Sequence, residues 1–299
     1  MTAGPRAPAL AALIALALIW GYNWVVVKVG VAYMSPFAFG ALRSFLGALA
    51  IFAAMVALRR PLRPQYPLTV FWLGLFQTAG FTGFSTWALV SGGAGQTAVL
   101  AYTMPFWTLL LAWPLLGERL GRVQYAAVAV ALIGLALILD PAHLGGNLGA
   151  DLLALLSGLS WAISAVIAKR LFARKRLDLL GVTAWQMLFG AIPLVAVALL
   201  VPGAPTQWTP ALLIALAYST ILGSAVAWFL WLFVLRRLPT HVAGMGSLSN
   251  PVVGVLAAWA QLGERPGSIE GLGMVAIVAG LVLVVLGERP DPLRASSAR

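Results

Sequence analysis

Two stretches of this chain hold no charged side chain: residues 64–117 and residues 179–235. A helix crosses a bilayer with about 20 predominantly apolar residues. Each stretch is therefore long enough for two crossings joined by a turn. Gly92-Gly93 marks the break in the first and Pro202-Gly203 in the second. A soluble fold built from such runs would have too little charge to keep its surface in water. The rest of the 299 residues agrees: 62% are apolar and 9% charged, against roughly 25% charged for an average soluble domain. The sequence describes an all-α polytopic membrane protein whose first partner is the lipid bilayer. It contains no Cys, which excludes a disulfide, a thiolate metal site and a Cys nucleophile.

Pro, Gly and charge signals divide the chain into ten predicted transmembrane helices: 9–29, 36–58, 68–90, 95–116, 122–139, 150–170, 179–201, 209–235, 241–262 and 269–287. Arg6 ahead of an apolar run resembles the start of a secretory signal. The run continues through Trp20-Gly21-Tyr22-Asn23-Trp24-Val25-Val26-Val27, which is too long for a signal's apolar core and reads as a first span.

The basic residues fall on one side of this division. Sixteen of the 19 lie at the N-terminus, in the loops after predicted helices 2, 4, 6 and 8, or in the C-terminal tail. Arg265 stands alone on the opposite side, and Lys28 and Arg43 lie inside helices. The positive-inside rule then predicts both termini in the cytoplasm and an even number of spans, in a membrane of the bacterial inner type. The net charge of +11 becomes an orientation signal, and no nucleic acid partner is needed to explain it.

The two halves repeat each other. Met104-Pro105-Phe106 leads to Leu116-Gly117-Glu118-Arg119, and Asn250-Pro251-Val252 leads to Leu262-Gly263-Glu264-Arg265, with the same Pro-to-Glu spacing and an offset of 146 positions. Trp20 and Lys28 match Trp161 and Lys169 at an offset of 141, and Gly47 matches Gly190 at 143. The predicted domains are a first five-helix repeat over 1–145, a second over 146–288, and a tail over 289–299. An odd number of helices per repeat inverts the second half in the membrane. Inverted repeats characterise secondary transporters, with the substrate path between the halves near the midplane.

Trp20-Gly21-Tyr22-Asn23-Trp24…Lys28, Ser35-Pro36…Ala41-Leu42-Arg43, and the paired Pro105…Glu118 and Pro251…Glu264 segments carry a family likeness. Taken in order, they resemble the drug/metabolite transporter superfamily and, within it, the EamA-type ten-helix carriers. Within that group the general pattern and the Trp-rich helices are most similar to YddG-type exporters of aromatic amino acids. The resemblance implies a central cavity walled by helices 1, 3, 4, 6, 8 and 9, with helices 5 and 10 peripheral.

The residues themselves suggest what such a cavity would hold. All eight acids sit at predicted helix ends, in loops or in the tail, so no carboxylate is offered at mid-membrane for coupling a proton to a cationic drug. Lys28 and Arg43 either snorkel to the outer interface, contact a substrate carboxylate, or pair with Asp140 or Asp151. Pro105 and Pro251 fall at helix centres and are expected to kink them. That would free the carbonyls of Ala101 and Ser247 for packing or for an amino group. Gln77, Thr78, Phe81 and Ser85 share one face of helix 3, and Ser157, Ser160, Trp161 and Ser164 one face of helix 6. Such stripes serve interhelical hydrogen bonds or a cavity wall. Asn23, Tyr102, Ser224, Ser249 and Asn250 add further central polar groups. Trp72, Trp113 and Trp208 lie near helix ends, as interfacial anchors do. Trp20, Trp107 and Trp161 lie near helix centres, either as core or as walls for a planar side chain. Ala127…Ala131 in helix 5 and Ala276…Gly280 in helix 10 permit close packing, within the chain or in a homodimer.

The expected function is export of a small-molecule substrate, aromatic or other neutral amino acids foremost, by alternating access. Efflux of planar cations, or exchange of phosphorylated or nucleotide-sugar metabolites, are the alternatives. The first lacks a buried acid and the second a pair of deep basic residues. His143 and His241 are the only histidines and are far apart. No catalytic constellation, metal site or cofactor motif is visible.

Overall fold

The computed structural model describes residues 6–116, 121–139, 147–174, 177–201, 203–237 and 249–286. Among these residues every regular element is helical and there is no strand. In chain order the helices are α1 (Arg6–Val31), α2 (Pro36–Ala57), α3 (67–91), α4 (94–116), α5 (Arg122–Leu139), α6 (Leu148–Arg174), α7 (Leu179–Leu200), α8 (210–237), α9 (Ser249–Leu262) and α10 (Ser268–Leu286). Five segments are long and apolar enough to cross a bilayer as they stand: Ala7–Val31, Pro36–Ala57, Leu148–Phe172, Leu179–Leu200 and Pro210–Trp231.

The helix starts follow local chemistry. Ser35 Oγ accepts from Ala38 N with Pro36 in the first turn, and Thr209 Oγ1 accepts from Leu212 N with Pro210 in the same place. A side-chain cap satisfies one orphan amide, and Pro gives up a donor that the first turn does not use. Asp178 caps α7 through Leu180 N.

Three departures from regular helix shape the interior. α3 runs as α-helix over Pro67–Gly74, π-helix over Leu75–Gly80 and α-helix over Phe81–Ser91. α8 does the same: Pro210–Ala217, then a π segment over Tyr218–Val226, then Ala227–Arg237. α4 is broken into Ala94–Ala101 and Met104–Leu116. The break lies at Tyr102-Thr103, so Pro105 sits in a first turn and not at a helix centre. There its missing N–H costs little. The Ala101 carbonyl faces the close backbone approach at Gly158 of α6. Pro251 likewise falls in the first turn described for α9. Residues 241–248, with the Ser247 carbonyl and the start expected for that helix, lie outside the described residues.

α5 packs along α10, α2 along α7, and α1 against both α8 and α9. α6 packs against α3 and α4, and α4 against α9. The small-residue stripes of α5 and α10 face each other inside the chain. A side chain at Gly280 would meet Ala127 O and Ala131, and one at Gly134 would meet Gly273 O and Ala276. Ile14, Leu18, Leu199, Leu200, Ile214, Leu272 and Val275 are exposed, as suits helices whose outer faces meet lipid.

Candidate functional site

A cavity of about 280 Å³ lies between the helices, lined by residues from both halves of the chain. α1 contributes Trp20, Asn23 and Trp24; α2 Arg43 and Ser44; and α3 Gln77, Thr78, Phe81 and Thr82. Tyr102 and Met104 come from the break in α4, Trp161 from α6, and Gln186 and Met187 from α7. Gly223, Ser224, Trp228 and Trp231 come from α8 and Asn250 from α9. The wall therefore includes α2 and α7 as well as the six helices that the resemblance implies. A larger groove of about 600 Å³ between α1 and α8 is lined by residues such as Pro8, Ala15, Phe229 and Phe233. Among the described residues it offers no hydrogen-bonding side chain that could orient a polar metabolite.

The π segments aim side chains into this space. A π turn takes one extra residue, and such turns recur at functional sites. In α3 it presents Gln77 and Thr78; Thr78 Oγ1 donates to Gln186 Oε1 at 2.6 Å. In α8 it presents Gly223 and Ser224. Trp20 Nε1 donates to the Gly223 carbonyl at 3.0 Å, and Ser219 Oγ donates to Asn23 Oδ1 at 2.9 Å.

Aromatic rings make two groups on the wall. Trp20 stands 6.0 Å from Trp228 and 6.1 Å from Trp231, centroid to centroid. Phe81 stands 4.9 Å from Trp161 and 6.3 Å from Trp24, which in turn lies 6.5 Å from Tyr102. These edge and tilted contacts are the favourable aromatic arrangements.

Among the described residues Arg43 is the single charged one on the wall. Its Nη2 donates to Thr82 Oγ1 at 3.3 Å, and its buried Nε has no partner. The ion pair found among the described residues is elsewhere, Arg60 with Asp178 at 3.7 Å. Asn250 is 1% exposed; its Nδ2 donates to the Tyr102 hydroxyl at 2.6 Å, and its Oδ1 has no partner.

Of the residues the sequence singles out, ten meet on this wall: Trp20, Asn23, Arg43, Gln77, Thr78, Phe81, Tyr102, Trp161, Ser224 and Asn250. The others lie elsewhere. Ser85 and Ser164 are buried and donate to carbonyls of their own helices, Thr82 O and Trp161 O. Trp107 Nε1 donates to Thr103 Oγ1. Ser249 is exposed, and Pro105 and Pro251 are off the wall.

Lys28 is also off the wall. Its Nζ donates to the Gly92 carbonyl at 2.6 Å, beside Glu264. Glu264 accepts from Ala94 N at 2.9 Å and from Gly95 N at 3.1 Å, capping α4 from the end of α9. Neither Lys28 nor Arg43 is paired with Asp151, and Asp140 lies outside the described residues. Glu118 and the side chain of Trp113 also lie outside them. Trp72 and Trp208 are exposed.

Sequence reading missed Trp24, Trp228 and Trp231 as wall residues. A signal existed for the last two: Ser224, Trp228 and Trp231 follow the i, i+4, i+7 spacing of one helical face.

The chain is similar to known proteins along nearly its whole length. The model of the EamA-like transporter family matches residues 7–140 and again residues 148–286. The chain is 30% identical over 285 residues to the Escherichia coli (strain K12) protein named "Probable amino-acid metabolite efflux pump". That alignment covers 91% of this chain and 93% of that protein. It is 28% identical over 277 residues to the Bacillus subtilis (strain 168) transporter YoaV, covering 91% and 94%. A solved crystal structure superimposes with a TM-score of 0.64 at 25% identity, over 94% of this chain and 98% of that one. The matching family and these relatives are transporters, not enzymes.

Proposed function

The chain belongs to the EamA-like transporter family, and on that premise we propose that it exports small organic metabolites, aromatic or other neutral amino acids foremost, as in YddG-type exporters. The observation that carries the reading is the Arg43 guanidinium, which meets no carboxylate among the described residues, on the wall of a cavity otherwise lined by rings, apolar and neutral polar groups. A buried charge is retained at a cost when it serves a function. A carboxylate supplies its counter-charge, while the rings receive an apolar side chain. A planar cation would meet an unneutralised positive charge in the same space. A phosphorylated metabolite would want a second basic group, and Lys28 is engaged with Gly92 off the wall.

In this reading the chain spans the inner membrane ten times as two inverted five-helix repeats, with both termini cytoplasmic. Several features support the inversion. The family model matches twice. The π segments begin at Leu75 and Tyr218, 143 positions apart, the same offset that relates Gly47 to Gly190. Contacts pair across the halves in the manner of a pseudo-twofold: α3 with α7 and α8 with α2, α3 with α6 and α8 with α1. Alternating access then rocks one half on the other. The Glu264 cap on α4 and the Lys28 bond to Gly92 tie α1, α4 and α9 together at the end assigned to the outer face. A homodimer, if formed through α5 and α10, would use their outward faces, since the small-residue faces are spent inside the chain.

Proteoliposomes test the function. Saturable counterflow of phenylalanine or tryptophan is expected in the reconstituted protein. Absence of stimulated flux of any neutral amino acid, in either gradient direction, overturns the substrate assignment.

A further inference from the structure

Two side chains of opposite hydrogen-bonding character are left incomplete on the same cavity wall. Arg43 Nε is a buried donor without an acceptor, and Asn250 Oδ1 is a buried acceptor without a donor. Among the described residues the other atoms in this condition, Asp178 Oδ2 and Thr220 Oγ1, belong to residues off the wall. Leaving a buried polar atom unmet is costly, more so when the group is charged. Both side chains also have a partner. Arg43 is tied to Thr82, and Asn250 to Tyr102. Each residue lies on the wall with one polar atom left over, which a ligand meets when the side chain turns towards it.

Arginine only donates, and an amide oxygen only accepts. Their complements are a carboxylate, which only accepts, and an ammonium, which only donates. Resting on the amino-acid reading above, we propose that Arg43 and Asn250 form a two-point clamp for a zwitterion, Arg43 Nε taking the α-carboxylate and Asn250 Oδ1 the α-ammonium. The substrate class is then the free α-amino acid with both groups ionised. An amine alone leaves Arg43 unneutralised, and an acid alone leaves Asn250 Oδ1 empty. The side chain extends over Trp161 and Phe81, which decide size and shape, while the clamp decides charge.

Calorimetric titration of the purified protein with phenylalanine, 3-phenylpropionate and phenethylamine separates the two contacts. In the unaltered protein each truncated analogue binds about tenfold or more weakly than phenylalanine, the scale of one lost charge-assisted hydrogen bond. Arg43→Gln weakens phenylalanine and 3-phenylpropionate and leaves phenethylamine bound as tightly or more tightly, because the charge that opposes an ammonium is gone; Asn250→Leu weakens phenylalanine and phenethylamine and spares 3-phenylpropionate, by the same single-bond arithmetic. The spared ligand in each variant is the control for folding, since a disturbed cavity weakens all three. Equal binding of phenylalanine and either analogue to the unaltered protein overturns the clamp and leaves amino-acid export standing. Binding of none of the neutral amino acids overturns both.

Discussion

The contact of α3 with α7 and that of α8 with α2 are related by the repeat, yet they are built differently. At the first, backbone meets backbone. A Cβ on Gly74 would lie 2.3 Å from the Gln186 carbonyl, and one on Gly190 would lie 2.5 Å from the Gly74 carbonyl. Thr78 and Gln186 bridge the same contact by a buried 2.6 Å hydrogen bond. At the second, side chains intervene. A Cβ on Gly47 would meet Met187 Cε at 2.7 Å and Ser224 Cβ at 2.9 Å. The Ser224 hydroxyl turns back to its own helix, donating to Ser219 O, and Thr220 Oγ1 finds no partner. One contact is interlocked, and the other has give. If the halves rock as proposed, the interlocked contact suits the pivot between them and the softer one a sliding surface.

The sharpest way to break this comparison is Gly190→Ala. The new methyl has to displace Thr78 Cβ, at 2.4 Å, or the Gly74 carbonyl, and neither is the free end of a flexible side chain. Overpacking of this kind costs about 1–3 kcal/mol, and the upper part of that range is expected. Thermal unfolding in detergent checks it. A variant as stable as the parent shows that α3 and α7 are free to separate.

The pairing of these contacts was partly legible in the sequence. Gly47 and Gly190 stand at matched positions, and the helical character of the uncharged runs and the entry at Ser35-Pro36 were readable. The π segments were not. A π turn inserts one residue without a residue signature, and Leu75–Gly80 looks like any apolar turn. Helix propensity also could not separate a central proline kink from a break two residues earlier, because Pro105 is compatible with both. Lys28, Gly92 and Glu264 meet across long sequence separations, which no local pattern reports. At the candidate cavity the polar and aromatic residue types were readable. Their direction was not: Ser85 and Ser164 fit the same stripes as Thr78 and Trp161 but spend their hydroxyls on their own helices.

Gly47→Ala sharpens the comparison from the other side. Its methyl meets the mobile end of Met187, which can turn away, and Ser224 Cβ, which can retreat only with α8. The expected loss of stability is smaller than at Gly190, about 1 kcal/mol or less. The transport rate is expected to fall more than stability does, because the added methyl obstructs a surface that moves. A rate unchanged alongside a large drop in unfolding temperature reverses the assignment of which contact is fixed.

Ser224→Ala is the smallest effect and the finest discrimination. Ser224 lies on the cavity wall, against Gly47, at the C-terminal part of the α8 π segment. If its hydroxyl held α8 to α2 as Gln186 holds α7 to α3, removal would strand a partner on the other helix. Its observed acceptor is Ser219 O, five residues back in the same helix. Removal therefore leaves the α2–α8 contact intact, and the methyl of Ala fills most of the volume that Ser occupied. The expected change in stability is within about 0.5 kcal/mol, as for substitutions that break no shared network. A loss beyond about 1.5 kcal/mol, the scale of a stranded buried group, means the hydroxyl bridges the two helices. The softer contact is then as tightly tied as its counterpart, and the asymmetry between the halves has to be sought elsewhere.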